Sequence, residues 1–102
     1  MSKEIIVPAT GAVTSGNIRI YVDNDRVPST FIQQGLAGAE EAVLQVSYDG
    51  GTTFVDVYIN STKQSLSATN NVLTINAPGI YKIAKGASAA AAGVYLVTNN
   101  DL

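Results

Sequence analysis

Histidine, cysteine and tryptophan are all absent from this chain of 102 residues, and charged residues make up only 14% of it. Without cysteine the chain forms no disulfide framework and no thiolate site, and it needs no oxidising compartment. Without histidine it lacks the commonest general base, and with both missing it lacks the ligands that zinc and copper prefer. The composition therefore predicts a protein that is not an enzyme and that holds no metal and no cofactor.

Carboxylates are the remaining groups that could do acid–base chemistry or bind a cation. Asp23 with Asp25, and Glu40 with Glu41, fall in predicted loops and are typical of solvated turn charges. The first pair offers oxygens of the kind that calcium binds, but it lacks the glycine and the distal glutamate of a complete calcium loop. We therefore predict a turn at residues 23–25.

The charge pattern and the length of the apolar runs also indicate which classes of partner to expect. Six basic and eight acidic residues give a net charge of −2 and a pI near 4.7, and the basic residues are scattered, so we expect no nucleic-acid partner. No apolar run approaches membrane-spanning length, and the N-terminus lacks the apolar core of a signal peptide. We expect no membrane association, and synthesis in a cytoplasm without export.

Hydrophobic residues, at 46% of the chain, are plentiful enough to form a packed core. They recur in short bursts rich in Val, Ile, Tyr and Thr, separated by Gly, Pro, Asn and Asp, which is the pattern of β-strands. The predicted strands cover residues 4–7, 17–22, 30–34, 42–48, 53–59, 63–67, 72–76, 80–85 and 94–98. Their spacing predicts an all-β fold, a small antiparallel β-sandwich of about eight short strands at residues 17–102.

Three segments fit this pattern less clearly. Residues 1–16 are interpreted as an N-terminal arm or a first strand. Residues 33–43 have helix-forming side chains, but Gly35 and Gly38 interrupt them, so we predict a loop or a single turn. The Ala-rich residues 86–93 are too few for a stable helix and are predicted to form a small-residue loop.

The segment Ser47-Tyr48-Asp49-Gly50-Gly51-Thr52-Thr53-Phe54 matches the pattern Ser-x-Asp-x-Gly-x-Thr-aromatic. It resembles the Asp-box of sialidases and related β-propellers, in which Asp and hydroxyl side chains bond the backbone of a hairpin turn and the aromatic ring packs beneath. The box is structural in that family. One copy in so short a chain implies only the turn, here between strands 42–48 and 53–59.

A second motif, Asn76-Ala77-Pro78-Gly79-Ile80-Tyr81, places a tyrosine two residues after a Pro-Gly turn. It is similar to the tyrosine corner of Greek-key sandwiches, where the phenol bonds back to the backbone of a connection. Any Pro-Gly turn that enters a strand would give the same spacing, so the motif supports a sandwich without defining its topology.

The predicted strand 53–59 has no polar side. Val55, Val57 and Ile59 share one face, and Phe54, Asp56 and Tyr58 share the other. If the aliphatic face lies on the core, two aromatic rings beside a carboxylate point outward, as they do in interface anchors.

With Tyr21 and Tyr95 these outward residues form the candidate protein interface, which comprises Tyr21, Phe54, Asp56, Tyr58 and Tyr95. The alternative is that the rings close the ends of the sandwich.

Residues 44–98 resemble small virion structural proteins of tailed bacteriophages, in particular capsid decoration or cement proteins. The resemblance rests on the segment 44–54, on Pro78-Gly79-Ile80-Tyr81, and on Gly93-Val94-Tyr95-Leu96 after an Ala-rich loop. It implies a compact β domain, a dimer or trimer, that binds the outside of an expanded head and bridges major-capsid subunits. Its partners would be the major capsid protein or other virion proteins, and its location the capsid surface after synthesis in the host cytoplasm.

Two alternatives remain open at this point. In the first, the chain is a carbohydrate- or host-receptor-binding accessory module of a phage fibre or baseplate, with Tyr21, Tyr58 or Tyr95 as a stacking platform. Alternatively, it is a subunit of a tail or head–tail connector, which would assemble as a ring.

Overall fold

A computed structural model describes residues 3–21 and 28–98, and this part of the chain contains twelve short strands and no helix. The strands are β1 (Lys3–Ala9), β2 (Val13–Thr14), β3 (Ile18–Ile20), β4 (Ser29–Gln34), β5 (Glu41–Ser47), β6 (Phe54–Asp56), β7 (Tyr58–Ile59), β8 (Thr62–Lys63), β9 (Ser65–Ser67), β10 (Val72–Ile75), β11 (Gly79–Lys85) and β12 (Ala92–Thr98). The predicted all-β fold is confirmed. The turn predicted at residues 23–25 lies outside the described residues.

The first layer, sheet A, contains four strands in the order β1-β12-β4-β10, all antiparallel. Its strands alternate between buried and exposed side chains, as one-sided burial of a pleated sheet requires. Phe31, Leu73, Val94 and Leu96 are among its inward residues.

The second layer, sheet B, is centred on β11 and β5, which pair along six residue positions from Ile80↔Ser47 to Lys85↔Ala42. β2 and β3 pair with the other side of β11, while β6 and β9 pair with the other side of β5. Inward residues of sheet B such as Leu44, Tyr81 and Ile83 belong to the same buried cluster as those of sheet A. The two sheets therefore enclose one core, which is the sandwich that the strand spacing predicts.

The N-terminal segment belongs to both sheets. β1 pairs with β12 in sheet A, with register shifts on both sides of Ile6, and β2 pairs with β11 in sheet B. The described part of residues 1–16 thus forms strands of the chain's own sandwich. β2 was not predicted, because a strand of only two residues has no readable alternation.

The largest difference from the predicted strands concerns residues 53–67. The sequence predicts one strand at 53–59 and a second at 63–67, whereas the structure divides this segment into β6, β7, β8 and β9. Both segments considered as helices are irregular: residues 35–40 and 86–91 contain no helix.

Candidate protein-binding site

One continuous segment, residues 54–67, forms an outer edge of sheet B by pairing twice with β5. β6 pairs with residues 45–47 and β9 pairs with residues 41–43. Leu44 lies between the two pairings. Its N–H donates to the carbonyl of Gln64 at 2.9 Å, and its own carbonyl accepts the N–H of Val57 at 3.0 Å. Both backbone groups of Leu44 are therefore used by residues 57 and 64, and residues 58–63 are displaced from the ladder.

The displaced residues 58–63 form a small β-hairpin, here called the edge hairpin. β7 pairs with β8, and the N–H of Gln64 donates to the carbonyl of Val57 at 2.8 Å, which closes the base. The two turn residues, Asn60 and Ser61, have φ values of 52° and 66°. Positive φ at both central residues is the conformation that two-residue hairpins favour, because its twist matches that of the strands.

An ion pair ties the edge hairpin to the sheet behind it. Lys63 Nζ lies 3.1 Å from Glu41 Oε1, and Glu41 is the first residue of β5. The hydrogen bond to Glu41 and the negative charge of Glu41 raise the pKa of Lys63. Glu41, predicted to be a solvated loop charge, is instead a strand residue that holds the hairpin base.

Two large apolar side chains of the edge hairpin face solvent. Tyr58 is 61% exposed and Ile59 is 52% exposed. Two more exposed apolar residues lie on edge strands, Val55 on β6 of sheet B and Val72 on β10 of sheet A. Exposed apolar side chains such as those of the adjacent Tyr58 and Ile59 are typical of sites that contact another protein.

A groove separates the edge hairpin from the end of β10. It has a volume of about 270 Å³ and is lined by Val57, Ile59, Thr74, Ile75, Asn76, Ala77 and Tyr81. None of these seven side chains carries a charge at neutral pH. Because Ile59 lines the groove and successive strand residues alternate in direction, Tyr58 lies on the opposite face of the hairpin.

Three of the five predicted interface residues are close along the chain: Phe54 and Asp56 lie on β6 at the edge of sheet B, and Tyr58 lies on β7 in the edge hairpin. Phe54 and Asp56 are on the outer face of sheet B, where Lys82 Nζ lies 4.4 Å from the centre of the Phe54 ring. Asp56 Oδ1 accepts a hydrogen bond from Gln45 Nε2 at 3.0 Å.

Tyr95 and Tyr21 lie elsewhere. Tyr95 lies between the buried Val94 and Leu96 on β12 and therefore points to the outer face of sheet A. Tyr21 follows β3, at the edge of sheet B opposite to β6.

The predicted placement of the aliphatic face of residues 53–59 is only partly right. Val57 packs against the core, but Val55 and Ile59 are 42% and 52% exposed. The strand leaves the ladder after Asp56, so alternation along a single strand no longer applies to Ile59. The local signal for this exit was Asn60 between two β-rich runs, since asparagine readily adopts positive φ.

The turn at residues 47–53 has the hydrogen bonds expected from its likeness to the Asp-box. Ser47 Oγ accepts the N–H of Gly51 at 2.8 Å, and Asp49 Oδ1 accepts the N–H of Thr53 at 2.8 Å and the hydroxyl of Ser47 at 2.8 Å. These donors, the Thr53 N–H first, lower the pKa of Asp49 to about 2. The Asp49 carboxylate therefore accepts hydrogen bonds from groups of its own turn.

The tyrosine after the Pro-Gly turn also makes the expected bond. The hydroxyl of Tyr81 donates to the carbonyl of Ala77 at 2.9 Å, and burial raises the pKa of Tyr81. This bond fixes the connection between β10 and β11, which forms one wall of the groove beside the edge hairpin.

Within residues 3–21 and 28–98 no three His, Cys, Asp or Glu side chains come close enough to hold a metal ion. The same part of the chain contains no helix that could cross a membrane. Comparisons with family models, with curated proteins and with solved structures found no match.

Proposed function

We propose that the chain is a structural virion protein without catalytic activity, a decoration or cement protein that binds the outside of a tailed-phage head and bridges major-capsid subunits. The observation that carries the proposal is the edge hairpin, which exposes Tyr58 and Ile59 on a base held by backbone bonds and by the Lys63–Glu41 ion pair. Assembly as a dimer or trimer and location on the capsid surface are part of the same proposal.

The edge hairpin has the physical properties of a docking element. Tyrosine is a frequent anchor in protein interfaces because it buries a large area and loses few rotamers. The closed base holds the hairpin backbone before binding, which lowers the backbone entropy lost on association.

The composition of the chain suits a lattice partner. Only 14% of its residues are charged, so a partner-facing surface would contain few ions that must be desolvated. On a lattice, many modest contacts act together, and bridging neighbouring subunits turns weak single contacts into strong collective binding.

Cosedimentation with capsids of the virus that encodes the chain tests the proposal. We expect the chain to pellet with expanded capsids and to remain in solution with immature shells. Tyr58→Ala should weaken binding at least about tenfold, as loss of a central anchor does. Tyr48→Ala is the matched control, because Tyr48 is 77% exposed but lies in the turn at residues 47–53. A chain that binds neither shell contradicts the proposal.

No observation favours the carbohydrate-binding or connector alternatives over this proposal. Tyr21, Tyr58 and Tyr95 lie on different surfaces of the sandwich, so these three rings do not form one stacking platform. A glycan array and a mass measurement of the assembled particle would test these two alternatives directly.

A further inference from the structure

Within residues 3–21 and 28–98 no strand pairs with the outer side of β10, and this edge of sheet A lacks three of the features that usually keep edge strands apart. Natural edge strands carry charges, prolines or bulges that discourage pairing with another chain. The opposite edge strand, β1, has all three, with Glu4, Pro8 and two register shifts. β10, with the sequence Val-Leu-Thr-Ile, has no charge, no proline and a regular register with β4.

The hydrogen bonds of β10 show which backbone groups face outward. Gln33 N–H donates to the carbonyl of Asn71 at 3.0 Å, and these residues are opposite each other in the register of β4 and β10. Antiparallel ladders alternate between bonded and non-bonded pairs, so Leu73 and Ile75 direct their backbone groups to β4. Val72 and Thr74 therefore direct their N–H and C=O groups to the open edge.

We propose that two copies of this chain pair antiparallel through β10, about a two-fold axis at Leu73. In this register Val72 of one copy lies opposite Thr74 of the other, and each of the two such pairs exchanges both of its backbone hydrogen bonds. The outward N–H and C=O groups of Val72 and Thr74 in one copy can thus bond those of Thr74 and Val72 in the second without any change in the backbone of β10. The result is sheet A continued across both copies.

The charges around the edge favour a second copy as the occupant. Two-fold pairing places residues 72 and 74 of the two copies opposite each other and Leu73 opposite itself, so edge charges of one sign would repel one another. β10 is uncharged, and so are the seven residues that line the adjacent groove. Pairing would also place Val72, which is 48% exposed, beside Thr74 of the second copy and reduce its contact with water.

The β10 pairing deepens the proposed function, which leaves the assembly as a dimer or trimer, by naming the surface and register through which two copies pair. The pairing itself follows from the geometry of β10 and not from capsid binding. Tyr58 lies on the hairpin face opposite the groove, so pairing through β10 leaves that ring free for a capsid. Dimerisation is measured on the purified chain alone. Failure of capsid binding and failure of dimerisation are therefore separate results.

Sedimentation velocity of the full chain, from micromolar to submillimolar concentration, tests the inference with Thr74→Pro. Wild type should sediment with twice the 10.6 kDa mass of the chain. Proline removes the outward N–H of residue 74 and adds a ring at the edge, while the backbone bonds between β10 and β4 remain. The bond between the Thr74 and Thr30 hydroxyls is lost equally in Thr74→Pro and Thr74→Val. We expect at least a tenfold higher dissociation constant for Thr74→Pro and no change for Thr74→Val, which keeps the N–H.

A charge exchange tests the register itself and replaces Thr74→Pro if that variant does not fold. V72K/T74K places lysines opposite each other across the axis and should abolish the dimer, whereas V72K/T74E places lysine opposite glutamate and should retain it. A wild-type chain that stays monomeric throughout, a dimer that Thr74→Pro leaves intact, or equal behaviour of the two double variants would overturn the inference.

Discussion

Lys85 is a charged side chain almost completely removed from water, with 2% of its surface exposed. Its ammonium group donates to the carbonyls of Gly11 at 2.7 Å and Gly86 at 3.1 Å. These bonds join the segment between β1 and β2 to the loop that follows β11. At the same end of the sandwich, Glu40 accepts the N–H groups of Ala37 and Ala89 at 2.8 Å each.

Lys85→Met should therefore destabilise the fold by about 1–3 kcal/mol, because the two carbonyls lose their charged donor. Chemical denaturation measures the loss. Lys82→Met is the matched control: Lys82 is partly exposed above the ring of Phe54, so its removal should cost only about 0.5–1 kcal/mol. Equal losses for the two variants would contradict the role given to Lys85.

Gly35 is a residue at which only glycine fits. Its φ is +112°, and a Cβ built there would lie 2.4 Å from the carbonyl oxygen of Ala91. Gly35→Ala should lower the free energy of unfolding by about 1–3 kcal/mol, since the backbone is strained and must also move. Gly11→Ala, where a Cβ meets nothing within 4 Å, should have little effect. Thermal unfolding of both variants gives the comparison.

At the scale of single elements, the turn at residues 47–53 links stability to pH. The hydrogen bonds to Asp49 lower its pKa from 3.8 to about 2 in the folded chain. A lowered carboxylate pKa stabilises the fold above the unfolded value, and this contribution is lost as the pH falls from 3.8 towards 2. NMR titration should give Asp49 a midpoint near 2, and the stability of Asp49→Asn should fall less than that of wild type over the same range. If the stabilities of wild type and Asp49→Asn fell equally over this pH range, this account would be contradicted.

The edge hairpin contains a second testable feature, Ser61 at a φ of 66°. The left-handed region raises the conformational energy of a residue with a Cβ by roughly 1 kcal/mol, whereas glycine has no such penalty. Ser61→Gly should raise the free energy of unfolding by up to about 1 kcal/mol, measured by denaturation. Thr62→Gly is the control and should destabilise, because Thr62 belongs to β8. A Ser61→Gly variant less stable than wild type would show that the turn differs from the one described.

Four strands were predicted to within one residue at each end. They are β4, β5, β10 and β11, which correspond to the predicted strands 30–34, 42–48, 72–76 and 80–85. The division of residues 54–67 had only Asn60 as a local signal, and the pairing of both β6 and β9 with β5 was not predictable because it depends on where Leu44 changes partner. Alternation proposed Phe54, Asp56 and Tyr58 as outward residues on the condition that Val55, Val57 and Ile59 face the core, and this condition assumes an unbroken strand.

At the scale of the whole molecule, the edge hairpin and the free edge of β10 lie on the two sides of one apolar groove. Pairing through β10 uses the β10 side of the groove, Ile59 lines the hairpin side, and the opposite face of the hairpin carries Tyr58. The proposed dimer and the proposed capsid contact therefore occupy adjacent surfaces. A dimer would present two copies of Tyr58 to a lattice, which would strengthen binding through their effective concentration.

Hydrogen exchange of the chain, free and bound to expanded capsids, tests the central claim that the edge hairpin docks on a protein assembly. The account predicts slower exchange of the amides at residues 58–63 in the bound state, with little change on β12 around Tyr95. Capsid-bound chain in which residues 58–63 exchange as fast as in the free protein, while another surface becomes protected, would contradict it.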